Sequence, residues 1–103
     1  MIEINKVLNS ILDEFTELPN ELVQGLTNNS SKVKKGFIFF AFKGDKYDGN
    51  DFIEHAFKNG ACLAITDSEK IGIQKNVIKV QDVRTAAGIA CSNFYNFPQN
   101  KVR

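Results

Sequence analysis

The chain has no tryptophan, one histidine, one methionine, two prolines and two cysteines among 103 residues. Each scarcity removes a class of function. A single histidine and two cysteines without CxxC spacing argue against a Cys/His zinc centre. Cys62 and Cys91 lie in apolar segments and read as buried free thiols behaving as small hydrophobes. Neither sign of charge dominates: 13 basic and 12 acidic side chains leave a net charge of +1. That balance speaks against a duplex-DNA binder, and no nucleic-acid partner is expected. It leaves room for a small anion held by one local patch. No apolar run approaches the ~20 residues that span a bilayer, so no membrane partner is expected. Glu3, Asp13 and Glu14 do not suit a signal peptide, and a soluble, cytoplasmic domain is the expectation.

Motifs are absent as well. There is no GxxxxGK[ST] phosphate loop, so the chain by itself is not expected to hydrolyse ATP. GxSxG and GxGxxG are missing too. Asp45, Asp48 and Asp51 lie close together but lack the EF-hand spacing and its Glu at position twelve, so no metal site is expected. His55, mid-helix beside Glu54, fits a packing or exposed role better than a general base.

What is present describes one globular domain with 43% hydrophobic and 24% charged residues and a core reliant on nine phenylalanines. Ile4, Val7, Leu8, Ile11, Leu12 and Phe15 follow helical spacing, ended by Pro19. A short strand is predicted over 21–26, then a polar turn over 27–31. Phe37 to Phe42 is a continuous apolar run suited to a central strand covered on both faces. A loop over 43–49 follows, then a helix capped by Asn50 or Asp51, with Phe52, Ile53, Ala56 and Phe57 turned inward and Asn59-Gly60 as its stop. Strands are predicted over 62–65 and 76–80. Asp82 caps a last helix whose inward face is Val83, Ala86, Ala87, Ala90 and Phe94, ended by Pro98. Gly88 weakens that helix by about 1 kcal/mol relative to Ala, an exchange that close packing would explain. The expected fold class is α/β: a small single-domain layered fold with a mixed, partly parallel sheet flanked by helices.

Chemistry can reside in two polar loops. In Thr27 to Ser31, hydroxyls and amides can donate to a phosphate or a base edge without adding charge. The same residues also suit a turn that satisfies its own polar groups. The loop Lys43-Gly44-Asp45-Lys46-Tyr47-Asp48-Gly49 leads into a helix start, where amides favour anions, with lysines for charge and Tyr47 for stacking. It reads equally as a solvated loop. Lys32, Lys34 and Lys35 are most simply a solubilising cluster.

These residues resemble the N-terminal domain of the Mur ligases, the ATP-dependent enzymes that build the peptide stem of bacterial peptidoglycan. The family's G-(I/L)-T-x-D-S-R pattern stands here as Gly25-Leu26-Thr27-Asn28-Asn29-Ser30-Ser31. Its G-(D)-(L/I)-F-x-A-x-x-G continuation stands as Gly36 to Gly44. Its D-G-x-x-F-(I) stands as Asp48 to Ile53, with Ala56 and Gly60-Ala61 beyond. Asp82-Val83-Arg84 with Phe94-Tyr95-Asn96-Phe97-Pro98 is similar to the end of the domain in the MurE type. That type adds the third stem residue; the MurF type shares the first pattern and is one alternative. A non-enzymatic α/β module for RNA or an acidic protein, using the Lys32 to Lys46 surface, is another. Two positions depart: Asn29 and Ser31 replace the family's Asp and Arg.

The resemblance implies a substrate-binding domain over 1–103 that holds UDP-N-acetylmuramoyl-L-alanyl-D-glutamate, is monomeric and carries no catalytic residue. ATP and Mg²⁺ are implied for a central domain, whose phosphate loop would begin about where Arg103 stands. Carried over by position, Ser30 is the foremost substrate contact, with Asn28 beside it and Asp45, Lys46 and Tyr47 in the nucleotide-contacting loop. Whether diaminopimelate or lysine is added is a property of another domain.

Overall fold

A computed structural model describes residues 2–8, 11, 18, 21–72 and 74–96. Its centre is a four-stranded, all-parallel sheet in the order β3-β4-β5-β6, formed by Gly25–Thr27, Phe37–Phe40, Leu63–Thr66 and Val77–Lys79. A separate antiparallel ribbon pairs β1 (Ile2–Glu3) with β2 (Leu22–Val23). The helices are α1 (Ile4–Val7), α2 (Ile53–Lys58) and α3 (Val83–Asn96). The layered α/β class is as the alternation of strands and helices implied; parallel and antiparallel pairing are divided between two sheets, the main one being wholly parallel.

The first four residues of the apolar run at 37–42 form the interior strand β4, bonded on both sides in registers Leu26↔Ile38 and Ile38↔Leu63. Because successive side chains point to opposite faces, the run feeds two cores. Ile38 and Phe40 join Leu63, Ile65, Ile78 and residues of α1 and α3 on one face. Phe39 and Ala41 join Val33, Ile53, Ala56 and Ala64 on the other. Strands that neighbour in sequence order and cross over with one hand keep their connections on one face. Val33, α2 and Ile71, from the three successive connections, all pack there. Alanines at 41, 56 and 64 let the short helix α2 approach closely.

Several local expectations are corrected. The strand expected over 21–26 is two strands in different sheets, broken at Gln24, whose amide donates to Gly36 O at 2.9 Å. Asp48, rather than Asn50 or Asp51, caps the turn at Gly49–Phe52, its Oδ1 accepting from Asn50 N at 2.9 Å. That turn is 3₁₀, with about three residues per turn, which rotates Phe52 off the inward stripe and leaves it 38% exposed. Gly88 has open space within 4 Å of where a Cβ would stand, so close packing does not explain it. Cys62 is buried as expected, but Cys91 is only half-buried. Leu12, Phe15, Pro19 and Pro98 lie outside the described residues. The last helix matches: Asp82 Oδ1 accepts from Arg84 N and Thr85 N at 3.0 and 3.2 Å, and all five inward residues are buried.

Candidate functional site

All four parallel strands end at one edge of the sheet, and their outgoing loops gather there. The loop after β3 begins with Thr27 Oγ1 accepting from Asn29 N at 3.1 Å. Asn29 Oδ1 then accepts from Ser31 N at 2.9 Å and caps a 3₁₀ turn over Ser30–Lys32. Asn29 therefore supplies the acceptor that a carboxylate would supply at the same place, without its charge. The turn directs Ser30 inward, only 7% exposed, and leaves Ser31 outside.

Ser30 is clamped by α2. Its Oγ lies 2.9 Å from His55 Nδ1, and its carbonyl accepts from Asn59 Nδ2 at 2.8 Å. The same amide nitrogen faces His55 Nε2 at 3.5 Å. A nitrogen facing an N–H donor serves as an acceptor, so the imidazole proton belongs on Nδ1. The ring then donates to Ser30 Oγ, and the hydroxyl proton remains for a further acceptor. This arrangement holds a hydroxyl as a donor. Among the described residues no carboxylate completes a nucleophilic triad, because Asn59 stands where the orienting acid would be. His55 is exposed, as expected, and it also positions Ser30 across 25 residues of sequence.

The second loop follows β4 and closes on itself. Gly44 N donates to Tyr47 O at 2.8 Å and Gly49 N to Phe42 O at 2.7 Å, with Lys43 and Asp48 bridged antiparallel. At Gly49 a Cβ would stand 2.7 Å from Phe42 O, so the closure requires a glycine. The loop is tied to the sheet through Asn50. Its Nδ2 donates to Asp48 Oδ1 at 2.7 Å, and its Oδ1 accepts from the wholly buried Thr66 hydroxyl at the end of β5. Thr66 Oγ1 in turn accepts from Ser68 N at 3.0 Å. Asp48 thus occupies the turn amides that sequence reasoning offered to an anion. Those bonds hold its carboxyl below the ordinary carboxylate value, the Asn50 backbone amide contributing most.

Between the loops runs a cleft of about 490 Å³, within the range of small-molecule sites. Asn28, Ser30, Asp45, Lys46 and Tyr47 all line it, so all five residues singled out from sequence are brought together. Phe42, Phe52 and Arg84 line it too, and these were not anticipated. Tyr47 is 73% exposed, so its ring is open to a stacking partner. Arg84, in the first turn of α3, lays its guanidinium over Phe42, 4.6 Å from the ring centroid. Its sequence signal was present: a basic residue two positions past a helix cap, at the strand-end rim. The cleft combines a hydroxyl donor, an amide side chain, three aromatic rims and two cations against one acid. That set suits an anionic ligand with a planar ring. Among the described residues no three His, Cys, Asp or Glu side chains gather to hold a metal ion.

The fold and cleft define a small parallel α/β domain that presents a ligand-sized site at the strand ends. A family model described as "Mur ligase family, catalytic domain" matches residues 22–95. The chain belongs to the Mur ligase family. Curated relatives include UDP-N-acetylmuramoyl-L-alanyl-D-glutamate--2,6-diaminopimelate ligases. That of Rickettsia typhi is 46% identical over 74% of this chain and 15% of its own length. That of Caldanaerobacter subterraneus is 38% identical over 93% of this chain and 20% of its own. The chain therefore spans about a fifth or less of the relatives it matches. Among solved structures, MurF from Thermotoga maritima in complex with ADP has TM-score 0.60 and 27% identity over 69% of this chain and 16% of that one. MurF from Acinetobacter baumannii, at TM-score 0.65 and 24% identity over 78% of this chain and 17% of that one, shares the fold.

Proposed function

We propose that residues 1–103 form the N-terminal domain of a MurE-type ligase and hold the UDP end of UDP-N-acetylmuramoyl-L-alanyl-D-glutamate. The whole enzyme would add the third residue of the peptidoglycan stem in the cytoplasm. One observation supports this reading above the others: the Ser30 turn and the Asp45–Tyr47 loop face each other across one cleft. In this assignment Ser30 Oγ–H donates to a diphosphate oxygen, Asn28 flanks it, and Tyr47 stacks on the uracil. Family membership favours this reading over an RNA or protein interaction module, and the diaminopimelate ligases among the relatives favour the MurE over the MurF type.

ATP and Mg²⁺ do not fit the residues present. The sequence has no GxxxxGK[ST] loop, and among the described residues Asp45 is the lone carboxylate lining the cleft, with no cluster of three potential metal ligands. The chain is assigned to binding, and the ATP step to another domain. Isothermal titration with UDP-N-acetylmuramoyl-dipeptide and with ATP tests this: saturable heat with the first and none with the second is expected. Equal heats, or heat with ATP alone, would overturn the assignment.

A further inference from the structure

We propose that Arg84 is the residue that recognises the anionic diphosphate in this cleft, a reading that rests on the substrate-binding function proposed above. The helix starts offer less than they seem to. The first amides of α3 are already bonded to acids, Val83 N to Asp67 Oδ2 at 2.9 Å and Arg84 N to Asp82 Oδ1 at 3.0 Å. The turn before α2 is likewise taken by Asp48. The charge that meets an anion here therefore comes from side chains rather than from helix termini.

Two cationic side chains line the cleft, Lys46 and Arg84. Lys46 sits beside Asp45, also in the lining, whose carboxylate opposes an anion. Arg84 differs in three respects. Its guanidinium is fixed in place, one face over Phe42 at 4.6 Å and one nitrogen 3.4 Å from Lys43 O. Within the described residues no carboxylate lies within ion-pair distance of it; Asp82, whose charge it feels, is engaged by the Arg84 and Thr85 amides. A guanidinium has five N–H donors in a planar fork, so most of them remain available at the cleft wall. Stacking pre-orders the fork and so reduces the entropy lost on binding. Ser31 stands where the resembling family pattern has an arginine, which leaves Arg84 as the guanidinium lining this cleft. A planar fork and a hydroxyl donor lining one cleft suit the oxygens of a diphosphate.

The test compares UDP with uridine, which lacks the diphosphate, on the full chain and on R84Q and R84K. The parent should prefer UDP over uridine. R84Q should lose about tenfold or more in UDP affinity, the range for a charge-assisted hydrogen bond, with uridine affinity within about twofold. R84K, which keeps the charge without the fork, should fall between. Added salt should weaken UDP binding to the parent more than to R84Q. UDP affinity unchanged in R84Q, or UDP and uridine weakened alike, would overturn the role of Arg84 while leaving the cleft's function standing. A parent that binds no UDP would overturn both.

Discussion

Replacing Thr66 with Val tests how the binding loop is held. Thr66 is wholly buried, donates to Asn50 Oδ1 and accepts from Ser68 N at 3.0 Å. Valine removes both bonds while filling nearly the same space. Each bond contributes about 1 kcal/mol net, and partners left unpaired in a partly buried setting add to that. The new methyl returns roughly 0.8 kcal/mol. A net loss of about 2 kcal/mol follows, which for a domain this size lowers Tm by about 8–16 °C. Thr66→Ser keeps the hydroxyl and should lose only about 1 kcal/mol. Urea titration of the three proteins, at constant m-value, reads these differences. Because Asn50 also holds Asp48, T66V should weaken UDP binding more than T66S does. A T66V midpoint equal to that of the parent, or T66S falling as far as T66V, would refute the anchoring argument.

Two glycines should respond with opposite sign. Gly88→Ala, in open space within α3, should stabilise by about 0.5–1 kcal/mol. Gly60→Ala, at φ +112 with a Cβ 2.7 Å from Lys35 Cα, should cost about 2 kcal/mol or more; thermal unfolding of both variants decides. Acid should destabilise the fold through Asp48 and Asp82. Both are held below the ordinary 3.8, chiefly by the Asn50 and Thr85 backbone amides respectively. The unfolded chain then binds more protons, so their contribution is complete above about pH 4 and fades as pH falls through the lower folded values. The double variant D48N/D82N, which keeps both acceptors, should flatten the urea midpoint below that pH. Burial pushes the Cys62 thiol up to about 11, and the half-buried Cys91 is raised as well. Alkylation at pH 8 followed by mass mapping should modify Cys91 first, with Cys62 protected until unfolding.

Elements whose pattern is local were legible in the sequence. The run Phe37–Phe42 is apolar without alternation, which only a strand covered on both faces tolerates, and β4 is that strand. In α3 the spacing from Val83 to Phe94 and the acid at Asp82 carried the assignment. What escaped depends on contacts distant in sequence. The break at Gln24 reflects close approach across strands: a Cβ on Gly25 would stand 2.6 Å from the Phe37 ring. Phe52 left the apolar stripe because its turn is 3₁₀, a choice made by the Asp48 cap. The two polar loops were found from composition and order. Their third wall was not, because Arg84 follows β6, the far edge of the sheet from β3. The Ser30 clamp joins residues 25 and 29 positions apart, which residue type alone does not announce.

The most direct measurement is an NMR titration with UDP, followed by intermolecular contacts from the uracil protons. One ligand should shift the amides of Ser30 and Lys46 together and place the uracil against the Tyr47 ring. Shifts confined to a single loop, or to a surface that includes neither, would contradict that expectation.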